Sequence, residues 1–257
     1  MTSKSSNNKF LNEVTKAFLA AGKPVSKNEE FKLQQKWFKG TRYRIYNIKR
    51  KDLKALLKKE FSFSHLSKME IAKIWSYIFK NTEYMDLGLL AINYFKQFQN
   101  KKSHPVDQYW PIVKTWVSYI ENWDHGDMLS GIYCDCLSAR PDDVYPYLVK
   151  WSKHKSPWKN RMGMLSLLYY YNVKNPKRNL LPYKNIIALV DPHLKKEHYY
   201  LQKAVGWTLR ELLKAHPKKA WSYITKNVTT LVENVPESKK KGLKETRKKY
   251  RASLKKK

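Results

Sequence analysis

Between Asn122 and Asp127 the chain reads Asn-Trp-Asp-His-Gly-Asp, which sets two carboxylates beside an indole. The surroundings have the opposite sign: 52 Lys and Arg against 21 Asp and Glu give a net charge of +31. An acid on the binding face of so basic a protein would repel the polyanions that the surface attracts. Two roles resolve the conflict. In one, the acids serve the helix: Asp124 is its N-cap, Asp127 takes the third position and Trp123 packs on Met128 as a hydrophobic staple. In the other, an acid in the first helical turn is held ionised by the helix dipole and stabilises a cation formed during a reaction. His125 adds a third potential metal ligand, but donors so close in sequence make poor coordination geometry, and no metal site is expected.

Two other aromatic segments could meet a ligand. From Gln202 to Glu211 the chain reads QKAVGWTLRE, with Trp207 one helical turn after Lys203 and directly after Gly206, and Arg210 following. Glycine within a helix costs about 1 kcal/mol relative to Ala, and it often admits a close neighbour. A core tryptophan is the competing reading of Trp207. The segment Ser156-Pro157-Trp158-Lys159-Asn160-Arg161 puts basic residues in a first helical turn. That placement opposes the dipole and points to an external anion as the partner of Arg161, with a solvated surface arginine as the alternative. No GxGxxG, GxxxxGK[ST] or HExxH is present, so no phosphate cradle or zinc-protease helix is expected, and no cofactor. Cys134 and Cys136 lack the spacing of a redox or zinc pair and read as reduced thiols.

The elements that must position these residues are helical. Apolar residues recur at spacings of three and four over Lys9–Ala21, Glu29–Lys39, Lys51–Lys59, Lys68–Phe79, Glu83–Gln99, Asp107–Glu121, Asp127–Ala139, Asp142–His154, Trp158–Asn172, Pro182–Val190, Glu197–His216 and Pro217–Asn227. Residues 40–50 alternate, but with no second such segment to pair with they are expected to form an extended connector. Helices of this length joined by short turns predict an all-α fold, a superhelical stack of HEAT-like helical hairpins with a basic concave face. Residues 1–237 are expected to form one repeat domain, and 238–257 a Lys/Arg-rich extension, helical or disordered. That extension accounts for only part of the charge, so the domain itself is basic, as a nucleic-acid partner or an anionic membrane requires. No apolar run reaches the roughly 20 residues of a spanning helix, and no secretory signal opens the chain. A cytoplasmic protein is expected, nucleoid-associated in a bacterial host.

Taken together, the three segments resemble the DNA alkylation repair family of AlkD-like HEAT-repeat alkylpurine DNA glycosylases. That family has a W-D-x-x-D segment, a W-x-x-R helix start and a Q-K-A-[IV]-G-W-x-L-R-E helix, in this order. Here they are Trp123 to Asp127, Trp158 to Arg161, and Gln202 to Glu211. Weaker similarity extends over about residues 10–250, and Ser238-Lys239-Lys240-Lys241 is similar to a basic S-x-[RK]-[RK] stretch of the family. Asn122 stands where an aromatic is common, and Gly126 is unusual before the acid and is expected to bear on how Asp127 enters the site.

The resemblance implies a DNA N-glycosylase, a hydrolase of N-glycosyl bonds that excises cationic alkylpurines such as 3-methyladenine and 7-methylguanine from double-stranded DNA. By the same correspondence, Asp127 is the catalytic carboxylate, and Trp123 and Trp207 are the active-site tryptophans. Arg161 contacts the DNA backbone, and Trp37 or Phe38 matches an aromatic near the lesion. Lys203, Trp158, Arg210 and Lys239, Lys240 and Lys241 are expected on the DNA-binding side. The enzyme is expected to act as a monomer without cofactor, metal or membrane. The alternative is a non-catalytic HEAT-like module that grips duplex or branched DNA and uses Asp127 only for its helix.

Overall fold

Polar caps and N-terminal prolines cut the chain into helices much where the apolar period predicts them. The structure, a computed structural model, describes residues 4–99, 106–168, 182–196 and 198–227. Its contacts cluster into two units, Met1–Asp135 and Cys136–Lys257.

The first unit holds α1 (Lys4–Ala21), α2 (Lys27–Trp37), α3 (Arg50–Leu56), α4 (Lys68–Asn81), α5 (Met85–Lys96) and the short α6 (Trp110–Val113). It also holds the start of α7 (Trp123–Ala139). Ser26 caps α2 through the Glu29 N–H at 3.2 Å, and Ser67 and Glu70 close a capping box on α4. These pairs satisfy donors that a helix start leaves open. The core is aromatic: Phe79 and Trp116 stack with centroids 4.0 Å apart, and the Trp116 indole N–H donates to Ser76 Oγ at 2.8 Å.

Two sequence expectations are corrected here. The connector after α2 does find a strand partner, because Tyr46–Asn47 (β2) pairs antiparallel with Lys23–Pro24 (β1). Those two residues lie one glycine beyond α1 and carry no alternation to read. The span 107–121 is not one helix but a 3-10 turn over Val106–Tyr109, then α6, then a second 3-10 stretch over Lys114–Tyr119. Pro111 lies in the first turn of α6, and a residue without an N–H interrupts the i to i−4 ladder.

The second unit holds α8 (Pro141–Ser152), α9 (Pro157–Leu168), α10 (Tyr183–Val190), α11 (Tyr199–Ala215) and α12 (Pro217–Lys226). Pro141, Pro157 and Pro217 each open their helix, where a missing N–H costs nothing. Helix α9 packs on both α8 and α11. At Gly163 the approach to α8 is so close that a Cβ would lie 2.8 Å from the Leu148 carbonyl oxygen. Among the described residues no helix is long and apolar enough to cross a membrane. The expected extension 238–257, with Lys239, Lys240 and Lys241, lies outside the described residues.

Candidate functional site

Helix α7 begins two residues earlier than a cap at Asp124 would allow. Asn122 Oδ1 accepts the His125 N–H at 2.8 Å, and the Gly126 N–H reaches the Asn122 carbonyl at 3.3 Å. Asn122 is therefore the capping side chain, Asp124 lies in the first turn, and Asp127 sits in the second. Both Asn and Asp cap well, so the register is decided elsewhere, by what holds Trp123. Its indole N–H donates to the Trp37 carbonyl at 2.8 Å, and its ring stacks on Phe38 at 5.8 Å and 5°. That arrangement replaces the expected staple on Met128. Trp37 itself is 50% exposed, with Lys36 Nζ 5.1 Å from its ring centroid. Gly126 does not break the helix, since its carbonyl also accepts the Ser130 hydroxyl at 2.7 Å. Trp123 and Asp127 stand at i and i+4, on one face of α7, and both are half-buried.

Buried packing under this face fixes its position. His125 is fully buried, its Nε2–H donates to the Met85 carbonyl at 2.8 Å, and its ring meets Tyr43 edge-on. Burial pushes the imidazole down to about 4, so it is neutral. Gly88 of α5 makes room for it: a Cβ there would come within 2.6 Å of His125 Cε1. Glu121, just before α7, accepts the Arg42 N–H at 2.8 Å and pins the connector to the helix start.

Asp86 and Asp124, and Asp124 and Asp127, feel each other's charge, a relation that sequence spacing did not disclose. Asp86, in the first turn of α5, accepts the Tyr46 N–H at 3.4 Å. Burial, reinforced by the Asp124 charge, pushes Asp86 up to about 6 against that hydrogen bond. Asp124 is also raised, by burial first and by the Asp127 charge second, while Arg50 and Lys96 oppose the shift. Burial and the neighbouring Asp127 charge thus disfavour the ionised form of Asp124, against the opposing charges of Arg50 and Lys96.

In the second unit the long segment from Gln202 to Glu211 divides between two faces of α11. Gln202 is buried, and its amide donates to the carbonyls of His193 and Lys196, both at 2.6 Å. Ala204, Val205, Thr208 and Leu209 are core. Lys203 is exposed, with Nζ 4.6 Å from the Tyr199 ring centroid, and Trp207 and Arg210 are half-buried. Trp207 is therefore not a fully buried core tryptophan. Among the described residues a Cβ on Gly206 would meet only Arg210 Nη1, at 3.6 Å, an ordinary contact, and no close backbone accounts for that glycine.

Around α9, Asn160 plays the same part as Gln202, its amide donating to the carbonyls of Trp151, Ser152 and His154 at the end of α8. Both amides are the fourth residue of their helix, a correspondence between hairpins that their different residue types hide in the sequence. Trp158 stacks on Tyr200 at 5.1 Å. Arg161 departs from expectation: it is 3% exposed and its Nη1 donates to the Tyr200 carbonyl at 2.6 Å. It braces α9 against α11 instead of facing solvent, because helix packing buries that side of α9.

Comparison with known proteins agrees with this architecture. A family model described as "DNA alkylation repair enzyme" matches residues 21–249, and no curated protein matches the chain. Among solved structures, a predicted DNA alkylation repair enzyme from Enterococcus faecalis is 13% identical, with a TM-score of 0.59 over 86% of this chain and 96% of that one. AlkD2 from Streptococcus mutans is 15% identical, with a TM-score of 0.48 over 77% and 88% of the two chains. The first of these shares the fold.

Proposed function

The chain belongs to the DNA alkylation repair enzyme family, and from that premise we propose that it is a DNA glycosylase that removes cationic alkylated purines from duplex DNA. The observation that carries the reading is the pairing of Trp123 and Asp127 one turn apart on a half-exposed face of α7, beside acids that burial shifts toward neutrality.

An N3- or N7-alkylated purine already carries positive charge. When its C1′–N bond breaks, the bonding pair leaves with a base that departs neutral and needs no general acid. Positive charge passes to the deoxyribose. Asp127 supplies a fixed anion for that oxocarbenium-like sugar, the kind of preorganised electrostatic help that dominates many active sites. A water oxygen then bonds to C1′, and its proton passes through the Asp127 carboxylate to solvent, leaving an abasic site. The indole face of Trp123, held by Trp37 and Phe38, contributes about 1–2 kcal/mol of cation–π attraction.

Trp37, half-exposed at the end of α2, contacts the nucleic acid beside this face. On the second unit Trp207 makes an aromatic contact with the substrate, Lys203 and Arg210 contact backbone phosphate, and Trp158 and Arg161 support that surface. Lys239, Lys240 and Lys241 add charge that draws the chain to DNA. The enzyme works as a monomer in the cytoplasm, on the nucleoid in a bacterial host. Release of free 7-methylguanine or 3-methyladenine from methylated duplex is the test; binding without release assigns the chain to the non-catalytic class.

A further inference from the structure

Helix α2 is an amphipathic helix whose inner face is polar and whose outer face carries its rings. Glu30, Gln34 and Phe38 recur every fourth residue, on one side of the helix, and that side is the one bonded to the protein. Glu30 Oε1 accepts the Ile45 N–H at 2.7 Å, the Gln34 amide donates to the Tyr43 carbonyl at 3.1 Å, and Phe38 stacks on Trp123. No residue of α2 is buried.

Among the described residues three large hydrophobic side chains are exposed, and two of them, Phe31 at 59% and Trp37 at 50%, stand on this helix. They line one open groove of about 620 Å³ together with Lys32, Leu33 and Lys36, a volume typical of small-ligand sites. Lys32 and Lys36, both exposed, lie one turn apart between the two rings, and Lys36 Nζ is 5.1 Å from the Trp37 centroid. A single exposed ring on a protein surface is ordinary. Two rings with ammonium groups between them match a nucleotide strand, whose bases offer π faces and whose phosphates offer charge.

The groove is continuous with the candidate site, because the Trp37 carbonyl holds the Trp123 indole N–H at 2.8 Å. DNA that reaches Trp123 and Asp127 therefore passes α2. In a paired duplex both faces of a base are stacked on its neighbours, so free base faces come from unpaired nucleotides. We propose that the outer face of α2 binds unpaired nucleotides, with bases stacked on Phe31 and Trp37 and the intervening phosphate held by Lys32 and Lys36. This rests on the DNA-binding reading of the site and adds a substrate class to it: lesions beside gaps, bulges and strand ends.

The test is fluorescence anisotropy with an undamaged oligothymidylate of about ten nucleotides and, as control, a fully paired duplex. F31A should bind the oligothymidylate at least about fivefold more weakly, the low end of the loss of one base stack, and should bind the duplex as the wild type does. F31A/W37A should lose about 25-fold or more, while the backbone carbonyl that holds Trp123 remains. F31Y keeps a ring and should restore wild-type affinity. Wild-type affinity of F31A for the oligothymidylate, or an equal loss on both DNAs, overturns the proposal. So does a Phe31 requirement confined to phosphatidylserine vesicles or to self-association in sedimentation, which would assign the face to a membrane or to a second copy of the chain. Phe31-dependent binding in a protein that releases no 7-methylguanine keeps the stacking face and removes the glycosylase reading.

Discussion

Two glycines within helices should respond to the same substitution with opposite signs. At Gly88 a Cβ would lie 2.6 Å from His125 Cε1 and 2.8 Å from Nε2, whereas ordinary contact begins at 3.4 Å. Something must then move by roughly 0.8 Å, and the ring is poorly placed to do so: it is 0% exposed and hydrogen-bonded to Met85. Overpacking of that kind costs about 1–3 kcal/mol. The gain in helix propensity returns at most about 1 kcal/mol, leaving G88A less stable by about 1 kcal/mol. At Gly206 the nearest atom among the described residues is Arg210 Nη1 at 3.6 Å, so G206A should keep the whole gain of up to about 1 kcal/mol. Urea denaturation of both variants should therefore separate them by about 2 kcal/mol. Because His125 belongs to the first turn of α7, the displacement in G88A also reaches Trp123 and Asp127. A misplacement near 1 Å can lower kcat by about a hundredfold, which single-turnover base release would detect. A G88A protein as stable as G206A, with unchanged release, would mean that this contact does not position the site.

Two other outcomes follow from the same unit. Asp86 is raised to about 6 by burial, so its folded form holds a proton that the unfolded chain releases near pH 4. The penalty is absent below the unfolded value and fully present above about pH 6, amounting to up to about 3 kcal/mol. Wild-type stability should fall as pH rises from 4 to 6, and D86N should flatten that window and be the more stable protein at pH 7–8 in thermal melts. At the start of α7, N122A removes the cap and should cost about 1 kcal/mol. N122S retains a capping oxygen and removes the Asn122 amide nitrogen, which is buried without a hydrogen-bond partner among the described residues, so it should unfold at a higher denaturant concentration than N122A.

The helices were legible because their faces repeat with a helical period and because prolines and serines mark their starts. What the period could not convey is pairing between distant positions. Lys23–Pro24 carries no strand signal, and only contact with Tyr46–Asn47 makes it one. Asn122 and Asp124 are both good caps, and local sequence cannot choose between them; the bond from Trp123 to Trp37 and the seat of His125 over Gly88 decide it. Trp123, Asp127 and Trp207 were visible through their segments. Arg161 read as a phosphate ligand because its helix start is basic, but α11 covers it and offers the Tyr200 carbonyl. Asp86 carries no signal of its own in the sequence, since Asp124, whose charge it feels, lies far from it along the chain.

The central claim is that Asp127 stabilises a sugar cation. It is tested most directly by quantifying free 7-methylguanine released from methylated duplex DNA by the wild type and by D127N, with duplex affinity measured in parallel. The wild type should release base, D127N should lose nearly all release, and D127N should bind duplex as tightly as wild type or tighter because one repulsive charge is gone. Equal release by the two proteins would contradict it.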